Sequence, residues 1–241
     1  MEPAVLFEQR GAVALITLNR PDRRNAMNQE LLAGLYDAME RVSEDPSLHA
    51  AVLTGSGKAF CAGLDLAVLL TENLMDPRGD GATFPELRSR LQKPLVGAVN
   101  GPAITGGMEL ALNCDFLLGS TRALFADTHV KVGIHPGWGM SQLLQRRIGL
   151  ARALQMSLTG EFVEAEKAMA WGLLNEVTEP ADLLPRTMEV AGMIAANPPE
   201  MVGMLKSLME RGSLLPSDKA MELEQTEFRN FLQEKGMFKQ T

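Results

Sequence analysis

Chemistry on this chain begins with one carboxylate. In NGPAITGGMELALNCD, which runs from Asn100 to Asp115, Glu109 follows a paired glycine and sits among apolar neighbours. A carboxylate in such company is costly unless it is hydrogen-bonded, paired or neutralised. Two readings are open from the residues: an acid on the solvent face of a helix, or a base held in a pocket for proton transfer. The second reading needs groups that can take up the charge that proton transfer creates. AVLTGSGKAFCAGLDL (51–66) and LVGAVNGPAITGGMEL (95–110) each pass from an apolar strand through a glycine turn toward a helix-like segment. Glycine allows the sharp bend and lets a ligand approach the backbone. The first amides of a helix have no intrahelical partner and lie at its positive end. Two such amides aimed at one oxygen would stabilise negative charge building there. Glycine at a strand–helix junction is also an ordinary structural joint, so spacing alone leaves the role of these turns open.

The elements that must position these groups follow from periodicity. AVLFEQRGAVALITLNRP predicts two short strands around Gly11, ended by Pro21. NQELLAGLYDAMERVSED places Leu31, Leu32, Leu35, Met39 and Val42 at helical spacing, with Asn28 as N-cap. AAVLTGSG, LVGAVNG, FLLGS and ALFAD read as further strands, separated by helix-like segments beginning near Leu64, Gly106 and Trp138. Strand, glycine turn, helix, strand is the rhythm of an α/β fold. From about Ala151 onward the pattern is helical, so an α/β core over residues 1–185 is followed by a helical C-terminal portion over 186–241. TENLMDPRGDGATFPE (71–86) has no periodicity and is predicted to be a mobile loop, either a lid or a surface excursion.

Bulk properties narrow the function. A chain of 241 residues can bury a sizeable core. Its formal charge of −7 argues against nucleic acid, whose partners carry a basic face. NRPDRRN (19–25) is the local exception, a loop with three arginines able to meet phosphate. Cys61 and Cys114 form neither a disulfide framework nor, with the three histidines, a metal-binding spacing. There is no secretory n-region and no apolar run long enough for a membrane span, so a cytoplasmic protein is expected.

ALITLNRPDRRNAMN, VLTGSGKAFCAGLDL, PLVGAVNGPAITGGMELALNCDF and FADTHVKVGIHPGWGMSQLL occur in this order, and ALQMSLTGEFVEAEKAMAWGLLNEV follows. Together they resemble the crotonase superfamily, the enoyl-CoA hydratase/isomerase family, over nearly the whole chain. The resemblance implies a spiral core of repeated ββα units, a trimer or a dimer of trimers, and an acyl-CoA thioester as substrate with no separate cofactor and no metal. It places the two oxyanion-hole amides at Leu64, just before the aspartate of the A-G-x-D turn, and at Gly106. It assigns CoA contacts to Arg24, Asn25, Ala26, Ala62, Leu64 and Leu66, and puts the first catalytic glutamate of hydratases at Glu109.

The sequence departs from that pattern at His129, where hydratases of the family carry a second glutamate. An imidazole accepts and donates through different nitrogens and titrates near neutrality in its reference state, at ~6.5. It is a competent substitute, with Asp127 two residues away as an orienting partner; alternatively it only lines the pocket. His135, before Pro136, reads as structural, His49 as solvated, and Trp138 as either a pocket wall or core. The expected activity is hydration of a trans-2-enoyl-CoA. Double-bond isomerisation, which one base can perform, is the alternative, and a non-catalytic thioester-binding protein is the reading of a different class.

Overall fold

The computed structural model describes residues 2–237. The N-terminal hairpin forms as the apolar pattern requires: β1 (Val5–Arg10) pairs antiparallel with β2 (Val13–Leu18) about Gly11, whose φ of +61° suits glycine. α1 (Gln29–Glu44) starts at Asn28, whose side-chain oxygen accepts the Leu31 N–H at 3.1 Å. The five apolar residues expected on one face of α1 are all buried.

β3 (Ala50–Gly55), β4 (Leu95–Val99), β6 (Phe116–Ser120) and β9 (Glu176–Thr178) extend the hairpin into a six-stranded sheet of order β1-β2-β3-β4-β6-β9. All pairings beyond the hairpin are parallel. Strands buried on both faces read as continuous apolar runs, which is why AAVLTG and LVGAV lack alternation. A second, three-stranded sheet joins β5 (Pro102–Ile104), β7 (Leu124–Ala126) and β8 (Val163–Glu164), with β5–β7 parallel and β7–β8 antiparallel. The chain alternates between the sheets. β4 and β5 lead into α3 (Gly106–Leu112), and β6 and β7 lead into α4 (His129–Val132). This is the expected ββα repetition within two mixed sheets.

α5 (Met140–Ile148), α6 (Leu150–Thr159) and α7 (Ala165–Trp171) follow, and α8 (Leu183–Ala195) packs on β3 and β4. Backbone proximity divides the chain into two compact units, one ending at Ala196 and one beginning at Asn197. The second contains α9 (Pro199–Gly212) and α10 (Ser217–Glu234), which pack on each other. Residues 238–241 of the expected C-terminal portion lie outside the described residues.

Three local expectations are corrected. After Leu64 the chain makes successive turns instead of a helix, with Val68 N–H on Asp65 O and Thr71 N–H on Val68 O. His49 is half-buried, and its Nδ1 lies 3.0 Å from Ala195 O, so it is not simply solvated. Segment 71–83 lacks regular structure but is tied down: Gln29 N–H donates to Glu72 Oε2 (2.7 Å), Asn73 N–H to Gln29 Oε1 (3.2 Å) and Gln29 Nε2 to Pro77 O (3.0 Å). α2 (Phe84–Arg90) begins directly after it behind a capping box formed by Thr83 and Glu86.

Candidate active site

Close packing of glycine brings the two glycine turns together. Cys61 pairs with Ala103 in an isolated bridge, and a Cβ added at Gly107 would lie 2.0 Å from Cys61 O. Gly63, at φ +95°, turns the chain so that Leu64 pairs with Met27. In that pairing Met27 N–H donates to Gly63 O and Asp65 N–H to Met27 O, which leaves the Leu64 amide facing the other way. Gly106 opens α3, so its amide has no helical acceptor. Neither amide is spent on a hydrogen bond among the described residues. They are neighbours, since a Cβ on Gly106 would come within 3.6 Å of Leu64 N. Two free N–H groups side by side form a receptor for one oxygen bearing negative charge. The Leu64 donor arises from bridge geometry, not from a helix start.

Thr105, immediately before Gly106, holds φ +52° and ψ −111°, a conformation that costs a non-glycine residue of order 1–3 kcal/mol. Its surroundings enforce it. Thr105 N–H donates to Ala126 O (2.8 Å), Thr128 N–H donates to Thr105 Oγ1 (3.2 Å), and the two threonine hydroxyls hydrogen-bond. The strain therefore joins the free amide of Gly106 to the segment carrying His129. No sequence signal singled out this threonine pair.

Glu109 is buried on α3. Its Oε1 accepts the N–H groups of Trp138 (2.8 Å) and Met140 (3.1 Å), which pay its desolvation cost. Its Oε2 faces His129 Nε2 at 3.8 Å. His129 is also buried, and its Nδ1 lies 2.7 Å from Asp127 Oδ1, which additionally accepts the His129 N–H at 3.2 Å. Asp127 Oδ1 accepts the Nδ1–H of the ring, which turns Nε2 toward Glu109. A gap of 3.8 Å is too long for a direct hydrogen bond but lets one oxygen sit about 2.8 Å from both groups.

These groups share one cavity of about 400 Å³, lined by Leu64, Gly106, Glu109 and His129 together with apolar side chains including Met27, Leu74 and Trp138. Trp138 is both pocket wall and packing partner, its ring 4.6 Å from that of Phe84. His135 is exposed at the cavity's edge. Cys61 lies behind the site with its thiol pushed up to about 12 by burial, so it carries no thiolate at neutral pH.

The expected CoA contacts divide. Ala62, Leu64 and Leu66 line the cavity. Arg24, Asn25 and Ala26 do not, but they adjoin it through the hydrogen bond from Ala62 N–H to Arg24 O (3.0 Å). Arg24 is exposed, whereas Asn25 is fully buried with its side chain committed to the loop: Nδ2 donates to Ser56 O and Ala59 O, and Oδ1 accepts Arg20 N–H. A ligand there would meet the arginine side chain and the backbone of its neighbours. Arg20 is likewise engaged, with Ala26 O and with Asp65 Oδ2 at 3.1 Å.

Comparison with known proteins identifies the family and the fold. The family model described as Enoyl-CoA hydratase/isomerase matches residues 8–240. The chain is 39% identical to a protein of Arabidopsis thaliana named "Probable enoyl-CoA hydratase 1, peroxisomal", over 90% of this chain and 82% of that one. A crystal structure of an enoyl-CoA hydratase subunit from Geobacillus kaustophilus superposes with a TM-score of 0.85 at 32% identity, covering 97% of this chain and 93% of the other. The structure of a monofunctional enoyl-CoA isomerase from M. smegmatis matches with a TM-score of 0.79 at 31% identity, covering 91% and 98%. With its fold and its full length matched, the chain belongs to the enoyl-CoA hydratase/isomerase family, the crotonases.

Proposed function

We propose that the protein hydrates a trans-2-enoyl-CoA, with Glu109 and His129 as its acid–base pair. The observation that carries this reading is the facing of Glu109 Oε2 and His129 Nε2 across 3.8 Å within the cavity that also presents the Leu64 and Gly106 amides. In the working state Glu109 is a carboxylate and Nε2 of His129 carries a proton. Glu109 takes a proton from water as its oxygen bonds to Cβ. The electron pair of the double bond moves onto the thioester oxygen, where the two amides hold the enolate. His129 then gives its Nε2 proton to Cα, re-forming the carbonyl. The proton left on Glu109 returns to Nε2, so one water is consumed and the pair is restored. Asp127 accepts from Nδ1–H in both protonation states and holds the ring in register, the orienting role of a triad carboxylate. No step calls on a metal or a redox cofactor.

Isomerisation is the second reading. It is favoured by the absence of a second glutamate at position 129 and by the likeness to the M. smegmatis isomerase. One base moving a proton between two carbons suffices for it. The deciding experiment follows loss of the conjugated thioester absorbance of crotonyl-CoA beside conversion of a 3-enoyl-CoA. Hydration should dominate. Faster isomerisation would replace this reading, and tight binding without turnover of either thioester would point to a non-catalytic binding protein.

A further inference from the structure

The wall of the acyl cavity is contributed in part by segment 71–83, of which Leu74 is buried and Met75 stands at the rim. Such a segment, long and without secondary structure, would ordinarily swing. Here it is fastened at both ends to α1. Near its start, Gln29 and Glu72–Asn73 exchange backbone and side-chain hydrogen bonds. Near its end, the Arg78 guanidinium grips Glu40 in a two-pronged pair (2.6 and 2.9 Å), reaches Asp37 at 3.1 Å and Asp80 at 2.6 Å, and lies 5.8 Å from the centre of the Tyr36 ring. The Arg78 side chain is 13% exposed while Glu40, Asp37 and Asp80 are 38%, 69% and 45% exposed, so the cation is covered and its carboxylates face water. What distinguishes it from an isolated surface pair is the number of carboxylates on one guanidinium. Its Nε is buried without a partner, a cost the carboxylates must offset. From Tyr36 the packing continues through Phe84, at 6.4 Å, to Trp138 on the cavity wall. The guanidinium, 38 residues from Glu40, thus fixes the loop and backs the aromatic wall together.

We infer that Arg78 is a specificity-determining residue: its clasp on Glu40 and Asp37 makes segment 71–83 a fixed end wall and restricts the site to short and medium acyl chains. The cavity, at about 400 Å³, is near the small end of the range for ligand pockets, ~300–1,000 Å³. A wall that cannot retreat leaves the distal carbons of a long chain in water. The inference rests on the acyl-CoA reading of the cavity, but not on which reaction occurs there.

Binding of saturated acyl-CoAs, from butanoyl to hexadecanoyl, tests it without turnover. While each added methylene is buried, affinity should rise about fourfold per carbon. In the unaltered protein that rise should stop before dodecanoyl. Arg78→Ala should carry it at least two carbons further while leaving affinity for free CoA and butanoyl-CoA within twofold. Glu40→Gln, which keeps the guanidinium, should shift the break in the same direction, and Arg78→Lys should retain most of the original limit. Circular dichroism establishes that each variant is folded; should Arg78→Ala fail to fold, Glu40→Gln decides. An affinity that climbs uninterrupted to hexadecanoyl in the unaltered protein, or a break unmoved in the folded variants, overturns the inference. Failure to bind any CoA thioester would instead overturn the acyl-CoA reading.

Discussion

Glu109 shows how a carboxyl group is accommodated inside a protein: two backbone amides satisfy one oxygen, and the other faces His129 in the cavity. Glu109→Gln retains size and hydrogen-bonding capacity but removes the base. Turnover should fall by about 10²–10⁴-fold or more while affinity for butanoyl-CoA is nearly unchanged. Retention of a tenth of the rate would take Glu109 out of the mechanism. His129→Ala should remove most of the hydration rate, again about 10²–10⁴-fold, if the imidazole is the donor to Cα. Asp127→Asn should lower kcat more than it raises KM, because the amide can present its NH₂ to Nδ1 and favour the wrong tautomer. Hydration unaffected by His129→Ala would leave the imidazole as pocket lining.

At the level of elements, the site is a junction where backbone comes very close to backbone. Gly107 touches Cys61 so nearly that a methyl would lie 2.0 Å from its carbonyl oxygen and 2.6 Å from its carbonyl carbon. Neither atom is the end of a flexible side chain, so α3 and the Cys61–Leu64 turn must separate. Gly107→Ala should cost about 1–3 kcal/mol in urea unfolding and also depress kcat if the free Leu64 amide in that turn is, as proposed, an oxyanion donor. Gly192→Ala is the control: it lies on α8 with nothing within 4 Å of the added methyl, and it should be neutral or stabilising by about 0.5–1 kcal/mol. Equal stability of the two variants would refute the close-approach account. The glycines themselves were visible in the sequence, as were α1 with its Asn28 cap, the apolar strands and the Asp127–His129 proximity, because local pattern and i,i+2 spacing encode them. Other features were not legible. The turns after Leu64 follow from its pairing with Met27, 37 positions earlier, and Arg78 meets Glu40 across a similar separation. Long-range pairing of that kind leaves no periodic trace, so the segment could be read only as a loop.

At the scale of the whole molecule, the second unit carries apolar side chains that bear on assembly. α9 and α10 contain no buried residue, and Met201, Leu205, Met209, Met221 and Phe228 are all more than 40% exposed. Large apolar side chains left exposed on both helices are candidates for cover by an association partner. Self-association is expected in solution, and the sequence resemblance implies a homotrimer or a dimer of trimers. Light scattering at micromolar concentration measures it directly, and a monomer would refute it. A charge placed on the apolar face, as in Met221→Glu with Phe228→Glu, should shift the equilibrium toward monomers, since a buried unpaired carboxylate opposes association. The first unit holds every residue of the proposed acid–base pair and both free amides. The monomeric variant should accordingly keep its circular dichroism and bind butanoyl-CoA if assembly and acyl binding are separable. Loss of binding in step with loss of assembly would mean instead that the site is completed only in the oligomer.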